Sequence, residues 1–226
     1  MILRLHKHIA APSVIVSLVM TILSVIFISN PIASAPSPHI ITSKDIEPIM
    51  GSLLSLGMLD FLLHIFSLAI VIAMVNDVID KQECSIKGGI ASALSRINVL
   101  FSSAVFLGVL LFAGILLLFV PALIAAFLFM FTIVIIISDD RTNAVTAMKL
   151  SYIIVRRNLN YSLSVFLSLI FTGMIVTLFN ILISSVHGLG QIIPSITMGI
   201  YMAFSGIVLI LSYRGIIKHE FSNTIK

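Results

Sequence analysis

Residues 97–137 read INVLFSSAVFLGVLLFAGILLLFVPALIAAFLFMFTIVIII, a run of 41 positions without one charged side chain. As a single helix it would measure about 61 Å at 1.5 Å per residue. The hydrocarbon layer of a bilayer is only about 30 Å thick. The run therefore reads as two membrane-crossing helices, 97–119 and 121–137. The break is expected at Phe119-Val120-Pro121, because proline suits the first turn of a new helix and disfavours helix in the residue before it.

Working outward, four more apolar runs appear: 9–29, 49–75, 161–183 and 192–213. The expected fold is all-α, a polytopic bundle of about six spans forming a single membrane domain over residues 1–226. Composition agrees. The chain is 59% hydrophobic and 10% charged, with mean hydropathy +1.21, against about 25% charged in soluble domains. Six spans with short loops use nearly the whole chain, which leaves no room for a separate soluble catalytic domain.

Six spans divide the basic residues unequally. Arg4, Lys7, Lys81, Lys87, Arg96, Arg141, Lys149, Arg156, Arg157, Arg214, Lys218 and Lys226 fall on one side, and Lys44 alone on the other. The positive-inside bias makes the first side cytoplasmic, so both termini are expected there, in a multi-pass protein of the cell membrane. The net charge of +4 is thus a membrane-surface feature, and no nucleic-acid partner is expected. A second reading of the start is a cleaved signal peptide, with Ala33-Ser34-Ala35 as the cleavage site. Against it, the first apolar run of 21 residues exceeds the usual 7–15, and Pro36 follows directly.

Two cytoplasmic segments have helical periodicity. Ile90, Ala93, Leu94 and Ile97 form one apolar stripe, and Ala144, Ala147 and Ser151 a stripe of small residues opposite Thr142, Thr146, Lys149 and Arg156. Both read as short amphipathic helices at the inner surface, either meeting lipid or bearing on the bundle from below. Arg96, Lys149, Arg156 and Arg157 are candidate contacts for anionic lipid head groups.

The segments also repeat one another. At an offset of 60, Arg96, Asn98, Ser102 and Val105-Phe106-Leu107 match Arg156, Asn158, Ser162 and Val165-Phe166-Leu167; Phe101 matches Tyr161, and Phe112 and Gly114 match Phe171 and Gly173 after a one-residue gap. This suggests a duplicated unit of surface helix, span out and span back. Both copies start from the same side, so the repeat is parallel. Transporters often contain such repeats, though a repeat alone does not make one.

On three features, Ala144-x-x-Ala147-x-x-x-Ser151 leading to Arg156-Arg157-Asn158, the turn at Val120-Pro121-Ala122, and the helix over 90–97, the chain resembles a poorly characterised family of multi-span proteins. That family is related to the membrane domain attached to some glycerophosphodiester phosphodiesterases. The resemblance covers about residues 80–185 and implies architecture only. The phosphodiesterase activity belongs to a soluble domain that this sequence lacks, so no active-site residue carries over.

Asp60 is the one acidic residue inside an expected span. His64 and Ser67 lie on the same face, one and two turns on. Ionisable groups at such depth cost about 2.5–3.5 kcal/mol on insertion scales and are by default functional suspects. Asp60, His64 and Ser67 therefore form the candidate intramembrane polar site, read either as a proton or ion site or as a packing pair. Two potential ligands are too few for a metal, and no cofactor is expected. Thr177, Asn180 and Ser184 read as interhelical hydrogen-bonding residues. Small-x-x-x-small pairs at Ala104/Gly108, Ala122/Ala126, Ser164/Ser168 and Gly199/Ala203 allow close helix approach. His187 reads as a turn histidine, and the single cysteine, Cys84, as an inert thiol.

No phosphate-binding glycine loop, Gly-x-Ser-x-Gly, His-Glu-x-x-His or cysteine knuckle occurs, and no arginine ladder. The expected function is non-enzymatic: a membrane scaffold, accessory subunit or lipid-interacting factor. Its expected partners are membrane lipids, other membrane proteins or a second copy. The alternative is a small-molecule or ion transporter using Asp60 and His64.

Overall fold

The computed structural model describes residues 8–33, 43–81, 84–139, 142–184 and 192–224, with side chains described over 8–25, 55–81, 84–139, 142–184 and 192–218. Among them the chain is helical, without a strand. In order come α1 (Ala11–Ala33), α2 (Ser43–Lys81), α3 (Ile86–Ser95), α4 (Ile97–Leu116), α5 (Val120–Leu128), α6 (Thr132–Ser138), α7 (Ala144–Arg157), α8 (Leu159–Ser184) and α9 (Ile192–Thr224). Five stretches are long and apolar enough to cross a membrane: Ser55–Lys81, Ile97–Leu116, Val120–Ser138, Leu159–Ser184 and Ile192–Lys218. The shorter apolar stretch Ala11–Val25 falls on the first expected span. Between the first two expected spans, residues 30–33 and 43–48 belong to α1 and α2, while 34–42, like His187, lie outside the described residues.

The long uncharged run does turn near Pro121. Helix α4 stops at Leu116, and α5 begins at Val120 with the proline in its first turn. Leu118 and Phe119 carry the reversal at φ 74° and 66°, the left-handed region that bulky residues rarely occupy. The two helices then touch closely. A Cβ on Gly114 would lie 2.5 Å from the Ala122 backbone nitrogen, so only glycine fits there.

The stretch expected as one helix over 121–137 is two, α5 and α6, interrupted at residues 129–131. No proline or glycine marks the interruption. Its free backbone groups are instead met from outside by Ser151 of α7. The Phe131 amide donates to the Ser151 hydroxyl at 3.2 Å, and that hydroxyl donates to the Leu128 carbonyl at 3.0 Å. Ser151 is fully buried. In an apolar medium each unpaired backbone group costs several kcal/mol, so one side chain makes the break tolerable.

The core is apolar and gathers where α2, α6 and α9 meet: Val71, Ile72, Met74, Val75, Val134, Ile136 and Ile210 are almost inaccessible. Helix α1 packs along α2 and α9. The crossing of α1 and α9 is tightest at Gly199, where a Cβ would sit 2.5 Å from the Val14 Cα; Ala203, one turn on, is also buried. That small pair serves internal packing. Ser164 and Ser168 lie instead on the exposed surface of α8, which packs mainly on α9 and buries only Ser162 and Val165.

The two expected surface helices are α3 and α7, capped by Ser85 and Asn143. Helix α3 packs on α2 through Gly89 and Ala93. Its stripe residues Ile90 and Leu94, and Ile97 opening α4, are exposed. Helix α7 buries Ala144, Ala147, Ser151 and Val155, so its small stripe meets the bundle. Thr142, expected on its polar face, precedes the helix and is buried.

Candidate functional site

Asp60 and His64 are one turn apart on α2. His64 Nδ1 lies 3.0 Å from the Asp60 carboxylate and 2.9 Å from the Asp60 carbonyl oxygen. A carbonyl oxygen only accepts, so Nδ1 carries the hydrogen, and the neutral ring's lone pair falls on Nε2. The side chains are 47% exposed for Asp60 and 13% for His64. The carboxylate thus faces open space and the imidazole stands behind it.

The space is a cavity of about 810 Å³ between α1, α2 and α9, with Asn180 of α8 at its edge. Ser17, Thr21 and Ser24 of α1 and Ser195 of α9 supply further hydroxyls. Leu56, Phe61, Met20, Met198 and Met202 supply hydrocarbon walls. The Thr21 and Ser195 hydroxyls are hydrogen-bonded to one another. Asn180 is tied to α9, its carboxamide oxygen accepting from Thr197 and its nitrogen donating to the Pro194 carbonyl. The Ser17 hydroxyl is buried and has no hydrogen-bond partner among the described residues.

The expected trio is divided. Asp60 and His64 reach the cavity, whereas Ser67 turns into the α1–α2 contact, where its hydroxyl donates to Ser13 at 2.8 Å. Of the hydrogen-bonding set on α8, Asn180 bonds across to α9; Ser184 bonds the Ile181 carbonyl of its own helix. The hydroxyls of α1 and α9 were not singled out from sequence. Single serines and threonines in apolar helices are common, and only the close crossing of α1 and α9 brings these together.

A second polar cluster lies about 18 Å along α2 from His64, twelve residues at 1.5 Å each. Arg214 of α9 grips the Asp80 carboxylate with two nitrogens, at 2.7 and 2.6 Å, and donates to the Asn76 carboxamide oxygen at 2.8 Å. The Asn76 nitrogen donates to Ser138 of α6 at 3.3 Å. Three helices are joined at this end beside a space of about 500 Å³. The buried core separates it from the first cavity.

The head-group candidates take different positions. Arg96 turns inward at the α3–α4 junction and donates to the Ile136 and Asp139 carbonyls at 2.8 and 2.6 Å, capping the end of α6. Lys149, Arg156 and Arg157 are exposed on α7. Cys84 is half-buried; burial, then the charge of Asp77, pushes its thiol above the ordinary value, which lowers the thiolate fraction and slows its reactions. Among the described residues no group of three or more His, Cys, Asp or Glu converges as a metal site.

Neither a family model, nor a curated protein, nor a solved structure matches this chain.

Proposed function

We propose that this chain is a six-span integral protein of the cell membrane, with both termini cytoplasmic, that holds an amphipathic ligand inside the bilayer. It acts as a lipid-interacting factor and not as an enzyme. The observation that carries the reading is the cavity of about 810 Å³, within the usual ~300–1,000 Å³ of ligand sites. It joins methionine and leucine walls to a carboxylate–imidazole pair and to Thr21, Ser24 and Ser195. Asp60 favours a ligand with a cationic or hydrogen-donating head, while the hydrocarbon walls take its tail. Kinship with the membrane domain attached to some glycerophosphodiester phosphodiesterases belongs to the same proposal. So does the parallel repeat, supported by the helix–junction–helix pattern of α3–α4 and α7–α8.

The test is photocrosslinking with a diazirine-bearing long-chain amine in reconstituted bilayers. Wild type should crosslink on α1, α2 or α9, and Asp60→Asn should lose most of the yield while keeping its thermal transition. Equal labelling of wild type and Asp60→Asn would refute the reading.

The second reading, transport, is favoured by the Arg214–Asp80–Asn76–Ser138 cluster, which closes the bundle at the end away from the cavity. It requires substrate-dependent flux in proteoliposomes that Asp60 substitution abolishes.

A further inference from the structure

A groove of about 580 Å³ runs between Phe106 of α4, Phe129 at the α5–α6 break, and Val145, Met148 and Ile153 of α7. Its lining is hydrocarbon throughout, contributed in part by Lys149 and Tyr152. Lys149, Tyr152 and Arg156 lie at i, i+3 and i+7, so they share one face of α7. Arg156 donates to the Tyr152 hydroxyl at 3.2 Å, which holds its guanidinium beside a residue that lines the groove. Helix α7 contains no acidic residue, so nothing on it neutralises this pair of cations.

We propose that this groove seats an acyl chain of an anionic phospholipid, with the lipid phosphate held by Lys149 and Arg156. The occupant follows from charge and shape together. An apolar slot beside two cations on a helix without acids matches a molecule that has a hydrocarbon tail and a negative head. Arg96 takes no part, because its guanidinium caps α6. The proposal rests on the reading of the chain as a lipid-interacting membrane protein, but its site is separate from the cavity at Asp60, so failure at one site leaves the other standing.

The test uses the full chain reconstituted in bilayers of equal parts phosphatidylglycerol and phosphatidylcholine, extracted gently and examined by native mass spectrometry. Wild type should retain phosphatidylglycerol well above its share of the bilayer. The Lys149→Gln/Arg156→Gln variant should lower the retained ratio by about tenfold or more. Met148→Trp, which fills the groove, should lower the total lipid retained. Asp60→Asn should leave both unchanged, and added inorganic phosphate should not displace the lipid. Retention of the two lipids in their input ratio by wild type would overturn the proposal without any variant. An unchanged preference in the charge variant, or a lipid-free dimer in which this face is covered by a second copy, would overturn it too.

Discussion

Ser151 has more structural consequence than its type suggests. Its hydroxyl serves one donor and one acceptor at the α5–α6 break, and it is fully buried. Replacement by alanine removes both bonds and leaves an amide and a carbonyl without partners, at about 1–3 kcal/mol for a buried polar group. Ser151→Ala should therefore lower the thermal transition in detergent or nanodiscs, whereas Ser164→Ala should not. The Ser164 hydroxyl bonds only a carbonyl of its own helix, on the exposed face of α8. In the sequence Ser151 was visible as a member of the small stripe with Ala144 and Ala147, but its task was not. The break it serves has no proline or glycine to announce it, and a serine that fills a gap in a neighbouring helix is indistinguishable from one that only permits close packing. Asp60 and His64 were legible for the opposite reason. Charged groups are rare in apolar helices, so each stands out against its background.

The hairpin of α4 and α5 was the most legible element. An uncharged stretch longer than the bilayer must fold back, and Pro121 places the turn. What periodicity did not reveal is how tightly the arms meet. A side chain at position 114 meets the backbone of Ala122 at 2.5 Å, and backbone cannot swing aside as a flexible side chain can. Gly114→Val should open the hairpin, with overpacking of this kind typically costing about 1–3 kcal/mol. Gly57, where an added Cβ would meet nothing within 4 Å, is the matched control. Comparing the two variants by protease resistance and thermal transition separates steric conflict from the general loss of a glycine. Helices lie at both segments where periodicity expected them, α3 and α7, but the face that α3 turns to the bundle was not legible. Its contact runs through Gly89 and Ala93, because α2 approaches so closely that only small residues fit between them. The larger Ile90 and Leu94 are left outside.

At the level of the whole molecule, the proposed orientation rests on the division of basic residues, and the single cysteine makes it measurable. Cys84 should react with a membrane-impermeant maleimide only after permeabilisation. Leu118→Cys in a Cys84→Ser background, at the most exposed position of the α4–α5 turn (89%), should react in intact cells. The reverse pattern would invert the topology. Labelling at Cys84 should be slow near neutral pH and quicken as pH rises, since its thiol titrates above the ordinary value. The Arg214 cluster predicts a longer-range effect. Arg214→Gln should loosen the contact of α9 with α2 and α6, seen as faster hydrogen exchange near residues 76–80 and 210–214. Asp80→Asn should reproduce part of this, since Asn76 still holds the arginine. Arg214 was counted only among the basic residues, and Asn76, Asp80 and Ser138 did not stand out. Each lay near an expected helix end, where polar residues are ordinary, and only the assembled bundle shows that three ends meet.

The joining of α5 and α6 by a later residue also sets an order in time. Ser151 stands 20 positions after Phe131, so the ribosome completes the broken span before it makes the side chain that satisfies it. At a synthesis rate of about 5–20 residues per second, the Phe131 amide waits roughly one to four seconds for its missing partner. Insertion of 120–138 and docking of α7 thereby become two separable events. A translational-arrest sensor moved along the chain should register a second pull when residue 151 leaves the exit tunnel, and Ser151→Ala should weaken it.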